Sequence, residues 1–208
     1  MESVVFDLGG VLIDWDPKYL YRKVFASEKE VDEFLASVAT PEWHLEQDRG
    51  RTVEEATALL LGQYPRYKTE IEAFYGRWEE MFGEPMEDSV QVLREVRAQG
   101  LPLYALTNWS AELFPATRKR LEFLSWFDEI VVSGDERAIK PDREIYEALV
   151  RRTGLNPANA VFIDDRPANV RAAEDLGFVG LEFKDAAGLR EDLVRQGVLS
   201  KVSEEPDA

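Results

Sequence analysis

The chain of 208 residues contains no cysteine and few basic side chains for its length. The absence of cysteine excludes disulfide bonds, thiolate nucleophiles and cysteine-bound zinc, and it is typical of proteins of the reducing cytoplasm. The 25 Lys and Arg residues stand against 41 Asp and Glu residues, which gives a formal net charge of -16. Nucleic acids and anionic membranes are bound through clustered basic side chains, so we expect neither as a partner.

Long hydrophobic runs are also missing. The longest apolar stretches, such as Leu59–Leu61, are far shorter than the ~20 residues that a membrane helix needs. The first ten residues, MESVVFDLGG, lack the basic and apolar regions of a signal peptide. We therefore expect a cytoplasmic location.

Short apolar runs flanked by turn or charged residues occur at Val4–Phe6, Leu103–Leu106, Ile130–Val132 and Val161–Ile163. Such runs are typical of strands buried on both faces. Between the later runs lie amphipathic stretches of helical length, at 88–99, 112–123, 142–153 and 167–176. This alternation predicts an α/β fold with a Rossmann-like parallel sheet and helices on both faces. A weaker alternating stretch at 179–183 is expected to form an edge strand.

The stretch 17–85 interrupts the alternation, because it contains no convincing strand. Its pattern predicts helices at 18–26, 28–38, 53–63 and 67–82. We interpret it as a small helical cap inserted after strand 1 into a core made of 1–16 and 86–200. A cap at this point would lie over the usual ligand site of an open α/β sheet. The tail 201–208 is expected to be disordered.

Carboxylates follow two of the predicted strands directly. Asp7 comes after the first strand, and Asp164 and Asp165 come after Val161–Ile163. Neighbouring carboxylates repel each other unless a cation lies between them. Oxygen ligands of this kind suit Mg²⁺, and Mn²⁺ could replace it. Any one of these residues could equally be a turn former, but together they predict a metal site.

Two further polar pairs are expected at the same edge of the sheet. Thr107 and Asn108 end the run Leu103–Leu106, and Lys140 precedes Pro141 at the start of a predicted helix. Taken alone, Thr-Asn is most often a helix-entry turn and Lys-Pro a solvated loop.

In order along the chain, these pieces are FDLGGVLIDWDP, LTNWS, Lys140-Pro141 and the Asp164-Asp165 pair followed by Asn169. In this order and at strand ends, they resemble the motifs of the haloacid dehalogenase-like hydrolase superfamily. The resemblance covers nearly the whole chain. The first two segments look like a bacterial branch described as phosphatases, some of which act on sugar phosphates such as glucose 1-phosphate.

The resemblance implies a role for each motif residue. Asp7 would be the nucleophile that forms an aspartyl-phosphate, Thr107 and Asn108 would bind the phosphoryl group, and Lys140 would neutralise charge. The implied Mg²⁺ ligands are Asp7, the backbone carbonyl of Gly9 and Asp165, supported directly or through water by Asp164 and Asn169. The expected partner is a small phosphorylated metabolite, and the expected assembly is a monomer or homodimer.

Gly9 is a departure from the family pattern. Phosphatases of the superfamily generally carry a second Asp there as general acid and base, a role worth ~10²–10⁴ in rate. Either the substrate has a good leaving group or another residue substitutes. The candidate substitute is His44, the only histidine, although a packing role is the more common one. Trp43, Asp48 and Arg49 are candidates for substrate contact from the cap.

Two other functions remain open. A 2-haloacid dehalogenase attacks carbon and releases halide without a proton donor, which Gly9 would permit. The adjacent pair Asp164 and Asp165 argues against it, because the dehalogenases that the chain resembles use no metal there and uncompensated carboxylates would repel a carboxylate substrate. A degenerate member that only binds a metabolite or a protein is the other alternative.

Overall fold

The computed structural model describes residues 1–84 and 86–200, so the tail 201–208 lies outside the described residues. Five parallel strands form one sheet in the order β3-β2-β1-β4-β5. They are β1 (Ser3–Phe6), β2 (Leu103–Thr107), β3 (Glu129–Val132), β4 (Ala160–Asp164) and β5 (Val179–Glu182). The predicted Rossmann-like sheet is confirmed, with β5 at an edge. Because β1 is central, its carboxyl end lies between those of β2 and β4.

Eleven helices surround this sheet in the described residues: α1 (Pro17–Tyr21), α2 (Glu28–Ser37), α3 (Pro41–Asp48), α4 (Val53–Gln63), α5 (Lys68–Gly76), α6 (Glu87–Ala98), α7 (Phe114–Arg120), α8 (Ser133–Glu136), α9 (Arg143–Thr153), α10 (Pro167–Glu174) and α11 (Ala186–Arg195). One apolar layer joins the sheet to α6 and α11, and another joins it to α9 and α10. None of the described helices is long and apolar enough to cross a membrane.

Between β1 and α6, the described residues form helices and turns apart from single bridging pairs. We call residues 17–84 the helical segment. Helix α3 was not predicted, because Pro41 and Gly50 are residue types that commonly break helices. Pro41 instead occupies the first turn, where a missing N–H costs nothing, and the Thr40 side chain accepts a hydrogen bond from the Trp43 amide.

Three predicted helices are shorter than expected. The helix predicted at 67–82 ends at Gly76 and is followed by a 3₁₀ turn, Trp78–Met81. The one predicted at 18–26 ends at Tyr21, and the one at 112–123 is α7 followed by a 3₁₀ turn, Glu122–Trp126. Apolar spacing does not distinguish a continuous helix from a helix that tightens into a 3₁₀ turn.

The two connections between the helical segment and the sheet run side by side. The Asp16 amide donates to the Met81 carbonyl at 2.9 Å, and the Gly83 amide donates to the Asp14 carbonyl at 3.1 Å. Trp15 and Phe82 form an antiparallel bridge between them. We call residues 14–16 and 81–83 the hinge. It positions the helical segment over the carboxyl edge of the sheet.

The tight packing of the hinge generates a test of stability. A Cβ at Gly83 would overlap the carboxylate of Asp14, which the Tyr19 hydroxyl holds at 2.8 Å. We expect Gly83→Ala to lower the free energy of unfolding by about 1–3 kcal/mol, as overpacking does. The measurement is urea unfolding at equilibrium.

The matched control is Gly62→Ala in α4, where a new Cβ meets nothing within 4 Å. Removing a glycine from a helix should raise the free energy of unfolding by about 0.5–1 kcal/mol. Equal responses of the two variants would contradict the close approach at the hinge.

Candidate active site

The site lies where the three central strands end. Phe6 is in register with Ala105 of β2 and Ile163 of β4, so the residues that follow these partners reach the same edge. Asp7 follows β1, and Asp164 is the last residue of β4. Thr107 ends β2 and is 1% exposed. The structure thus brings together the predicted strand-end residues.

Lys140 lies between two of these carboxylates. Its Nζ atom is 2.9 Å from Oδ1 of Asp7 and 2.7 Å from Oδ2 of Asp164. The side chain is 1% exposed, so the ammonium group is removed from water and depends on these two partners. Its backbone is held by Asn108, whose side chain accepts from the Lys140 amide at 2.8 Å and donates to its carbonyl at 3.0 Å.

Asp164 is fully buried, and its carboxylate is committed to protein donors. Besides Lys140, it accepts hydrogen bonds from the Arg166 amide at 2.9 Å and from Nδ2 of Asn169 at 2.9 and 3.1 Å. Asn169 is itself buried, and its carbonyl accepts from the Tyr146 hydroxyl. This network fixes the direction in which Lys140 points.

The cluster shifts the protonation equilibria of its members. Burial raises the pKa of Asp7 to about 7, although Lys140 lowers it and Asp164 raises it further. Burial would lower the pKa of Lys140, but the charges of Asp7 and Asp164 together raise it above its ordinary value. Lys140 therefore stays an ammonium group at neutral pH, and more positive charge beside Asp7 would favour its nucleophilic, ionised form.

The acidic groups fit a divalent cation. Asp7, Asp164 and Asp165 each place one carboxylate oxygen within 4.8 Å of the others. Burial and the charge of Asp164 raise the pKa of Asp165, because neighbouring carboxylates repel each other. Gly10, with φ of 75°, gives Asp165 its space, since a Cβ there would lie 2.6 Å from Oδ2 of Asp165. Hard oxygen donors in this arrangement suit Mg²⁺.

A cavity of about 640 Å³ opens between this cluster and the helical segment. Its lining includes Asp7, Gly9, Thr107, Asn108, Lys140, Asp165 and Asn169 from the sheet side. Opposite them it includes Trp15, Leu35, Ala39, His44, Leu45, Asp48, Phe74 and Trp78. A Cβ built on Gly9 meets nothing within 4 Å, so the missing side chain leaves open space beside the nucleophile.

His44 lies in an aromatic part of this cavity. Its ring stacks on Trp15 with centroids 5.2 Å apart and is 5.3 Å from Phe74. Nδ1 is 3.2 Å from the Tyr75 hydroxyl. Burial lowers the pKa of His44 to about 4, so the ring is neutral at pH 7. The role of His44 as an acid stays a prediction, and its neutral form has no imidazolium proton to give.

The three residues of the helical segment that were expected to contact substrate are Trp43, Asp48 and Arg49, and they differ in whether they line the cavity. Asp48 lines the cavity. Trp43 lies outside that lining, because its indole packs on Phe74 and its Nε1 donates to the Ala56 carbonyl at 3.2 Å. Arg49 also lies outside it and forms an ion pair with Asp142 at 2.8 Å. Substrate contact by Trp43 and Arg49 stays a prediction that the cavity lining does not support.

Sequence reasoning missed Phe74 and Trp78, which form part of the cavity wall. Their apolar side chains fit the helix pattern of 67–82 and carry no separate signal. For Asn108, the sequence indicated only a contact with the phosphoryl group. Its bonds to the Lys140 backbone, 32 residues along the chain, depend on the fold and leave no mark in local sequence.

Two curated relatives extend over most of the chain. The sesquiterpene phosphatase astK of Aspergillus oryzae is 28% identical over 186 residues, which is 89% of this chain and 91% of the relative. A phosphorylated carbohydrates phosphatase of Thermotoga maritima is 27% identical over 184 residues, 85% of this chain and 82% of the relative. Both names describe hydrolysis of phosphate esters of small molecules.

Among solved structures, a similar fold occurs in a haloacid dehalogenase (HAD) family enzyme of Bacteroides thetaiotaomicron, solved in complex with magnesium and inorganic phosphate. The TM-score is 0.68 at 21% identity, covering 89% of this chain and 95% of the other. The family model described as haloacid dehalogenase-like hydrolase matches residues 1–177. The chain is therefore a member of the haloacid dehalogenase-like hydrolase family, with phosphatases among its relatives.

Proposed function

We propose that the protein is a Mg²⁺-dependent phosphomonoester hydrolase that acts on a small phosphorylated metabolite through an aspartyl-phosphate. One observation carries this proposal. Asp7, with Lys140 against one of its oxygens, faces a cavity at a three-carboxylate cluster. The nucleophile, a fixed cation and oxygen ligands for a metal are therefore in one place, as phosphoryl transfer requires.

Each residue of the cluster has a defined task in the proposed reaction. Asp7 attacks phosphorus through a carboxylate oxygen. Its carboxylate is held in place at Oδ1, which accepts a hydrogen bond from the Leu8 amide at 2.7 Å and contacts Nζ of Lys140 at 2.9 Å. Thr107 presents its hydroxyl to the transferring phosphoryl group. Lys140 neutralises the charge that Asp7 and the phosphoryl oxygens share, and Asn108 and Asp164 hold it in place.

Asp7, the Gly9 carbonyl and Asp165 would hold Mg²⁺. When bound, the ion screens the repulsion between the anionic nucleophile and the anionic substrate. Because the Asp164 oxygens already accept bonds from Lys140, Arg166 and Asn169, we assign Asp164 a positioning role rather than that of a direct ligand.

The residues of the cavity wall indicate which class of substrate the site accepts. Aromatic rings such as Trp15, Phe74 and Trp78 provide flat apolar surfaces, which pack against the face of a sugar ring or a hydrocarbon body. Carbohydrate phosphates and a sesquiterpene phosphate are the substrates that the names of the two relatives indicate. We propose sugar phosphate-like metabolites as the first substrates to assay.

The dehalogenase alternative fits the cluster less well. Without a metal ion, the three carboxylates of the cluster outnumber the ammonium group of Lys140 between them and would repel the carboxylate of a haloacid. A binding protein without turnover would need no nucleophile paired with a buried lysine. Asp7 and Lys140 together therefore favour the phosphatase.

The first prediction concerns the nucleophile and the metal. We expect phosphate release from sugar and aryl monophosphates with Mg²⁺, and none with EDTA or with Asp7→Asn. Asn preserves the shape of Asp7 but is a far weaker nucleophile. Phosphate release by Asp7→Asn at the wild-type rate, or halide release from chloroacetate in EDTA, would contradict the proposal.

The second prediction separates the two adjacent carboxylates. Asp165→Asn should raise the Mg²⁺ concentration at half-maximal activity by at least about tenfold, because it removes a ligand. Asp164→Asn should lower kcat by about 10–100-fold with a smaller change in Mg²⁺ requirement, because it releases Lys140. The measurement is a Mg²⁺ titration of steady-state rates, and identical titration curves for the two variants would contradict this division.

A further inference from the structure

Asp48 is a buried carboxyl group to which the proposed mechanism gives no task. It ends α3, is 6% exposed and lines the cavity that contains Asp7. Among the described residues, no hydrogen bond or ion pair involves its carboxylate, and burial alone accounts for its shifted ionisation. A buried acid normally has a partner, so one that faces a cavity alone is positioned for something that enters the cavity.

The residues after Asp48 fix its position above the sheet. Arg49 pairs with Asp142 of the sheet side at 2.8 Å. Gly50, with φ of 96°, lies so close to Gly134 that a Cβ would be 3.1 Å from its carbonyl oxygen. Asp48 is therefore attached to the core through its immediate neighbours and does not depend on a distant loop for its place.

No hydrogen bond or ion pair among the described residues compensates Asp48. Lys18, Lys140 and Arg166 line the same cavity, but Lys18 pairs with Asp32 at 2.7 Å and Lys140 pairs with Asp7 and Asp164. Arg49 points to Asp142, and Arg51 donates to the Gln47 side chain and the Trp43 carbonyl. Tyr75 is partly buried, and its pKa is raised by burial and by the charge of Asp48. His44, one helical turn earlier, is neutral at pH 7. Burial raises the pKa of Asp48 to about 7, so both of its protonation states are populated near neutral pH.

We propose that Asp48 is the general acid and base that the chain lacks at Gly9, supplied from the helical segment. The inference rests on the proposed phosphatase function. As Asp7 attacks phosphorus and the ester P–O bond breaks, protonated Asp48 gives its proton to the leaving oxygen, which departs as an alcohol. Asp48, now ionised, takes a proton from the water that attacks the aspartyl-phosphate, which releases inorganic phosphate and restores Asp7.

The test uses two substrates of similar size and different leaving groups, benzyl phosphate and 4-nitrophenyl phosphate. With benzyl phosphate, Asp48→Asn should lower kcat by ~10²–10⁴-fold, because the alkoxide leaves unprotonated. With 4-nitrophenyl phosphate, the variant should release a burst of about one nitrophenolate per site and then turn over slowly, because phosphoenzyme hydrolysis lacks its base.

The wild-type pH profiles should be opposite for the two substrates. The acid form is needed when ester cleavage limits the rate, so kcat for benzyl phosphate should fall as pH rises through about 7. The base form is needed when phosphoenzyme hydrolysis limits, so kcat for 4-nitrophenyl phosphate should rise over the same range. The profiles are measured at saturating Mg²⁺, since positive charge beside Asp7 favours its ionised form. Both limbs should then disappear in Asp48→Asn, and Asp48→Glu should restore part of the benzyl phosphate activity.

Two controls separate catalysis from packing. Glu46→Gln makes the same chemical change on the same helix at a half-exposed side chain outside the cavity, and it should leave both rates and profiles unchanged. Asp48→Asn should also melt at a higher temperature than wild type near pH 8 and lose that advantage toward pH 4. The sign follows because a raised pKa in the folded state means that ionisation opposes folding.

An equal loss on both substrates without a burst would overturn the role of Asp48 while leaving the phosphatase intact, as would unchanged kinetics. Retention of the pH limbs in Asp48→Asn, combined with their loss in His44→Gln, would assign the role to His44 instead. Wild-type protein that releases phosphate from neither substrate nor any sugar phosphate would instead overturn the proposed function itself.

Discussion

The site depends on one interaction, the contact of the Lys140 ammonium group with the carboxylates of Asp7 and Asp164. Parallel strands bring carboxylates to the same edge, and burial makes their mutual repulsion costly. A single buried cation reduces that cost, and it does so only if it is held between the two groups. Asn108 grips its backbone and Asn169 orients its second partner, so the polar residues at three strand ends act as supports for one amine.

The helical segment completes the site from the opposite side. Its hinge runs as two hydrogen-bonded stretches, and α3 is attached to the core through Arg49 and Gly50. The open space at Gly9 and the buried Asp48 face the same cavity. In the proposed mechanism, the acid and base therefore comes from the helical segment, which has to be fixed over the sheet.

Much of the sheet could be predicted from sequence, because β1, β2 and β4 are apolar runs that end abruptly in Asp7, Thr107 and Asp164. These changes mark both the strands and the edge where the polar groups meet, and the order of the motifs indicates the family. The contents of the cavity could not be read in this way. Trp43 lies in α3, and Trp78 lies in the stretch predicted as a helix at 67–82. Of these two residues, only Trp78 lines the cavity. Which side a residue of a small helical segment faces depends on packing between helices, and local spacing does not encode it.

The paired stretches of the hinge also limit how the helical segment can move. Two stretches of one chain that are joined by backbone hydrogen bonds can bend together out of their common plane. Sliding one stretch past the other would break the bonds between Asp16 and Met81 and between Gly83 and Asp14. Any rocking of the segment about this hinge must also open the contacts of Arg49 with Asp142 and of Gly50 with Gly134. The helical segment is therefore attached to the core at two separate places, and closure at both returns Asp48 to the cavity that contains Asp7.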